Sequence, residues 1–246
     1  MSASTDRNPA STVVAAAGLG LVGFVTGLVF VTLAVSLLGS VLPLESGTAE
    51  RATVALVAQY TGTFAVVAFY LSASERSVSF LRLDRPSARD LAWTVGGVLV
   101  LFATLAGASF VIEQLGLSVT EHSIAQQAED NPAMLLPLIP LSILLTGPVE
   151  ELLYRGVVQT RLTEAFATAP AVLIAAVVFA LVHVPAYSLG GTGGSLATTL
   201  VVLFILGGVL GVLYEHTGNL FVPAVAHGLY NAITFANTYL EATGGL

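Results

Sequence analysis

No Asp, Glu, Lys or Arg occurs between Ala165 and Tyr214. A run of that length is intolerable on a water-exposed surface and natural in a bilayer. One spanning helix takes about 20 predominantly apolar residues, so this stretch holds two. SLGGTGGS, residues 188 to 195, divides them, because repeated glycine disfavours helix and marks a turn. Further charge-free stretches supply more spans: Val13 to Leu38, Ala52 to Ser74, Leu91 to Ile112, one opening within Asn131 to Val149, and Leu220 to Tyr239. The sequence therefore predicts an all-α polytopic membrane bundle of seven transmembrane helices, or eight if the first stretch is two helices. The first stretch is too long for a signal-peptide core and has a single arginine, Arg7, ahead of it, so a spanning helix is expected. No internal repeat or linker is visible. Residues 1–246 read as one membrane domain, with residues 133–240 as its catalytic helix core.

Composition agrees. Only 9% of residues are charged and mean hydropathy is +0.88, whereas soluble domains carry about a quarter charged residues. Cysteine is absent, which excludes disulfides and thiolate metal sites. A net charge of −7 argues against nucleic acid as a partner; the partner in view is the lipid bilayer. All eight basic residues are arginine, and this acidic, lysine-free balance suits a salt-loving prokaryote. Four arginines, Arg76, Arg82, Arg85 and Arg89, crowd residues 75 to 90. The positive-inside rule puts that loop, and with it the N-terminus, in the cytoplasm. The loop from Glu113 to Asp130 has four acids and no base, and falls outside.

Against this background LTGPVEELLYRG, residues 145 to 156, stands out. A charge at the centre of a membrane helix costs about 2.5–3.5 kcal/mol on insertion scales. Glu150, Glu151 and Arg155 must therefore face protein, water or each other. Glu151 and Arg155 are four residues apart, share a helix face and can pair. Glu150 lies ~100° round the helix, without that partner, and is a candidate proton acceptor. The alternative is a helix-end anchor at the cytoplasmic headgroups. FALVH sets Phe179 and His183, and HGLYN sets His227 and Asn231, each pair on one helix face. At the helical rise, Glu150, His183, His227 and Asn231 lie ~12–24 Å along their helices from the cytoplasmic ends, in one slab. His122, His216 and Glu215 are assigned to solvated structure. Pro137, Pro140 and Pro148 are expected to bend or break their span, which is tolerated where backbone is buried or lines a cavity. Gly207 and Gly211 are in GxxxG register, for packing or for a substrate gap.

EELLYR, FALVH and HGLYN resemble the EExxxR, FxxxH and HxxxN motifs of the CAAX protease and bacteriocin-processing (CPBP) family of intramembrane proteases, which includes the Ras-converting prenyl-protein proteases and the Abi proteins. Their order and spacing resemble the family's. Tyr154 departs from it, where Phe is more usual. The resemblance implies an intramembrane endopeptidase acting on a membrane-associated peptide or lipidated protein, with Glu150, His183, His227 and Asn231 catalytic. The chemistry of the side chains is compatible. Glu150 can take a proton from water. His183 can position that water, and His227 and Asn231 can donate to an oxyanion. Glu151 with Arg155 would support them. No cofactor is favoured. If the enzyme is metal-dependent, Glu150, His183 and His227 would form a His₂Glu zinc set. Two other classes share these residues: a carrier or proton relay, and an immunity-type scaffold that binds without cleaving.

Overall fold

The computed structural model describes residues 8–188 and 194–245. Most of the glycine-rich turn and Arg7 lie outside the described residues. The described chain is helical, with no strand. Its principal helices are α1 (Pro9–Leu38), α2 (Ala49–Ala73), α3 (Ala88–Gln114), the short α4 (Ser123–Asp130), α5 (the interrupted Pro132–Leu162), α6 (Thr168–Val182), α7 (Val184–Ser188), α8 (Leu196–Thr217) and α9 (Phe221–Ala242).

Six of these segments are long and apolar enough to cross a membrane: α1, α2, α3, α5, Thr168–Ser188 and α8. The protein is an integral membrane protein. Seven such spans were expected. The last, α9, is a 22-residue helix, but it carries His227, Asn231, Asn237 and Glu241 along its length and falls short in hydropathy. It still packs inside the bundle, against α3 and α5. The eight-helix alternative does not hold, since α1 is one continuous helix of 30 residues.

Local chemistry sets the helix ends. Asn8 caps α1 ahead of Pro9, Thr48 caps α2, and Ser87 with Asp90 forms a reciprocal capping box on α3. Gly218 ends α8 in the left-handed conformation, at φ 67°. Packing uses small residues, as expected where lipid removes the hydrophobic drive between helices. A Cβ on Gly62 of α2 would stand 2.8 Å from the Thr26 carbonyl of α1. Outward from this contact, α1 shows Leu21, Val25, Leu28 and Leu33 to lipid.

The bundle has two distinct ends. At the arginine end the Arg82 carbonyl accepts from the Leu220 amide (2.8 Å), and Arg76 pairs with Glu164 (2.6 Å). At the acidic end Asn131 donates to the Gly47 carbonyl (2.9 Å), and the Thr120 amide donates to Thr199 (2.9 Å). The largest buried cluster, including Leu153, Val157, Phe179 and Tyr214, fills the interior towards the arginine end.

Candidate active site

α5 is built to place two glutamates. Pro140 has no amide proton to give, and two residues later the helix widens into a π turn over Ser142–Thr146. There the Gly147 amide reaches back five residues to Ser142. A single α-helical turn, Gly147–Glu151, follows, and then a second π segment, Leu152–Gln159. Such π segments are rare and concentrate at functional sites. The expected irregularity is present, as a change of helical winding rather than a break. Gly147 is where α9 crosses. A Cβ there would collide with the backbone of Ala224 and Gly228, and a Cβ on Gly228 would stand 2.7 Å from the Ser142 carbonyl. This close crossing sets His227 against the glutamates.

Glu151 and Arg155 pair as expected, at 3.1 Å. Both are buried, 0% and 1% exposed, so the headgroup-anchor alternative does not describe them. Arg155 also donates to the Gly207 carbonyl (2.9 Å) and lies over the Phe179 ring (4.8 Å). The second Glu151 oxygen is 2.9 Å from His227 Nδ1. A carboxylate accepts only, so Nδ1 carries the proton of that bond. His227 Nε2 is thereby turned towards Glu150, 4.0 Å from its Oε2. The other oxygen of Glu150 accepts a 2.6 Å bond from the Tyr60 hydroxyl. The expectation that Glu150 stands without a partner is corrected here, because its partner comes from α2, ninety positions earlier in the chain.

α6 ends at Val182, and His183 follows, as the adjacent Pro185 suggested. His183 Nδ1 lies 2.7 Å from the Phe179 carbonyl. Phe179 separates the two imidazoles: its ring centre is 4.5 Å from His183 and 6.0 Å from His227. Glu150, His183, His227 and Asn231 all line one cavity of about 390 Å³, within the range of small-molecule and peptide side-chain sites.

Three residues outside the motifs share that cavity. Tyr60 was missed because α2 carries no motif; the adjacent polar pair Gln59–Tyr60 in an otherwise apolar span is the signal that could have found it. Thr146 lines the wall beside Tyr60, with a buried hydroxyl. His122 was assigned to solvated structure and that is corrected. It lines the cavity, its ring meets Tyr187 edge-on at 5.0 Å, and its Nδ1 accepts the Ile124 amide at the start of α4. Burial, with a smaller contribution from His183, lowers its pKa to about 4. Glu215 is corrected likewise. It accepts from Arg82 (3.1 and 2.8 Å) and from the buried Gln159 (2.9 Å). His216 is exposed, against Trp93, as expected. Gly207 and Gly211 serve packing, offering their carbonyls to Arg155 and Gln159.

No group of three or more His, Asp or Glu is arranged to hold a metal ion among the described residues. Tyr60 bonds one oxygen of Glu150, and the His227 bond to Glu151 uses Nδ1, which leaves Nε2 free on the side of Glu150.

Residues 132–233 match the family model described as type II CAAX prenyl endopeptidase Rce1-like. This segment resembles the Rce1-like domain. It covers less than half of the chain, and it contains all three motifs. Comparison with curated proteins gave no match, and comparison with solved structures gave none. The Rce1-like domain begins at the first turn of α5 and closes just past Asn231 in α9. Tyr60 and His122 lie outside it.

Proposed function

We propose that the protein is an intramembrane endopeptidase that hydrolyses a peptide bond of a membrane-associated peptide or lipidated protein. The observation that carries this reading is the paired arrangement of Glu150 and His227 on one cavity, with His227 oriented by the buried Glu151–Arg155 pair. A gap of 4.0 Å is too long for a direct hydrogen bond and suits a water held between the two groups. In this reading Glu150 takes a proton from that water as its oxygen attacks the scissile carbonyl carbon. Tyr60 holds the carboxylate still. Asn231 donates to the tetrahedral oxyanion, and His227 does so when Nε2 is protonated; such donors gain strength where water is excluded. His183 lines the same cavity beyond the Phe179 ring. The C–N bond then breaks, and Glu150 returns its proton to the leaving amine. No metal enters the scheme.

The carrier reading needs a continuous proton path through the bundle. The polar column beyond the site runs through Arg155, whose guanidinium does not release a proton, and this favours hydrolysis. The test is Glu150→Gln, with the peptide termini of membrane proteins compared by mass spectrometry between the variant and wild-type strains. A general base contributes typically ~10²–10⁴-fold, so the products should vanish from the variant while the protein remains folded in the membrane. Products that persist at wild-type levels would refute the assignment. Binding that survives with no cleavage in either strain would favour the scaffold.

A further inference from the structure

We propose that the groove between α1 and α2 is a site for one anionic phospholipid, with an acyl chain along the groove and the phosphate on Arg161 and Tyr70. The site is separate from the cavity that holds Glu150, and nothing in the protease reading requires it.

The groove is lined by Gly18, Val22 and Thr26 of α1 and Phe69 of α2, with Tyr70 and Ser74 towards the arginine end, and has a volume of about 670 Å³. Ligand sites are usually ~300–1,000 Å³. Val22 and Phe69 are 52% and 73% exposed, so the groove lies open to the acyl chains of the bilayer. From Ala15 to Thr26 it follows α1 for ~16 Å at the helical rise. That is about half of a ~30 Å hydrocarbon core, the depth of one leaflet, and it fits a lipid tail. Gly18 leaves the floor bare. A Cβ there would meet nothing within 4 Å, whereas one on Gly23 would collide with Leu153 of α5. Glycine weakens a helix interior, and at Gly18 no helix crossing accounts for it.

The polar end of the groove carries donors in want of an acceptor. Arg161 Nη1 donates to the Tyr70 hydroxyl (3.3 Å). Because that oxygen is the acceptor, the hydroxyl keeps its own proton to give, and no described residue takes it. The Ser74 hydroxyl is already spent on the Tyr70 carbonyl (2.6 Å). A guanidinium has five N–H donors. That of Arg161 makes this one bond and no ion pair among the described residues, and its buried Nε has no partner there. Glu164, three positions on, is engaged by Arg76 (2.6 Å), and Glu75, next to Ser74, is exposed. Arg161 is thus left with an uncompensated charge, beside a second donor, at the head of an apolar trough. Guanidinium groups favour phosphate, and arginines at the bilayer surface favour anionic lipids. The trough selects a ligand with a tail over a free anion.

The test uses the full chain in detergent, mixed with equal amounts of palmitoyl-oleoyl phosphatidylglycerol and phosphatidylcholine and read by native mass spectrometry. One phosphatidylglycerol should be retained over phosphatidylcholine about fivefold, the weight of one arginine near an anionic headgroup. Arg161→Gln should bring the ratio close to one. Tyr70→Phe, which keeps the ring and removes one donor, should lower it part of the way. Gly18→Leu puts a side chain into the open floor and favours helix, so it should remove the adduct of either lipid with the melting midpoint held. Arg85→Gln and Arg89→Gln, both exposed in the arginine loop, should leave the ratio unmoved. Equal retention of the two lipids would overturn the headgroup assignment, as would a preference that Arg161→Gln leaves intact or that the loop variants abolish equally. An adduct that survives Gly18→Leu would place the lipid elsewhere, and a protein dimer in its stead would give the groove to a second copy; either would overturn the site. No hydrolysis is read, so this proposal can fail while Glu150-dependent cleavage stands, and the reverse.

Discussion

At the scale of single residues, the site is a set of bonds that fix direction. Glu151 accepts from His227 and pairs with Arg155, both within buried protein. Removing one member of such a pair leaves a charge stranded, which typically costs about 3–5 kcal/mol. Arg155→Met should therefore lower the detergent or thermal unfolding midpoint sharply and abolish cleavage with it. Arg82→Met, which breaks a pair that is partly exposed, should cost far less, on the order of 0–1 kcal/mol. Parallel melts of the two variants would check this ordering. Tyr60 acts on a single atom. Tyr60→Phe keeps the ring and loses the 2.6 Å bond to Glu150. Bonds to charged groups contribute about 1.5–3 kcal/mol, so kcat should fall roughly tenfold or more with KM little changed and the melt close to wild type.

At the scale of elements, two features carry the function. The first is the crossing of α5 and α9 at Gly147 and Gly228. Gly228→Ala would push its new carbon against the Ser142 carbonyl, which is backbone and cannot rotate aside. Overpacking of this kind costs about 1–3 kcal/mol, and parting the helices would move His227 from Glu150. Cleavage should drop by more than the loss of stability explains, measured as activity per folded molecule. The second feature is the start of α4. His122 accepts the Ile124 amide only while neutral, and burial lowers its pKa from 6.5 to about 4. Between those values the unfolded chain binds a proton that the folded chain refuses. Stability from this residue is thus complete above pH 6.5, falls as pH drops towards 4, and levels off below. His122→Asn keeps an acceptor at the cap and does not titrate. Hydrogen exchange of the α4 amides should be pH-dependent across that window in the wild type, after correction for intrinsic rates, and flatter in the variant.

For the whole molecule, the separation of a sealed interior from the cavity matters more than any one contact. Buried groups from Leu153 to Gln159 close the interior on the arginine side, while the cavity lies towards the acidic side. The α1–α2 pair contributes Tyr60 and, through the small-residue face of α1, a wall for α5 and α6. The Rce1-like segment therefore does not complete the cavity alone; α2, α3 and the segment before α4 supply part of its lining.

The sequence by itself determined what is local. Charge-free runs marked the spans, because lipid tolerates few charges. The four-residue spacing of Glu151 and Arg155, and of His227 and Asn231, placed each pair on one helix face, because helical periodicity is a property of neighbours. Only the tertiary structure decided what depends on contact between distant segments: Tyr60 on Glu150, Glu151 on His227, His122 in the cavity wall, Glu215 in a partly buried network. It also kept α9 in the bundle despite its polar residues. These pairings come from how helices cross, and crossing is set by glycines and prolines whose effect on winding and approach no residue spacing along the chain records.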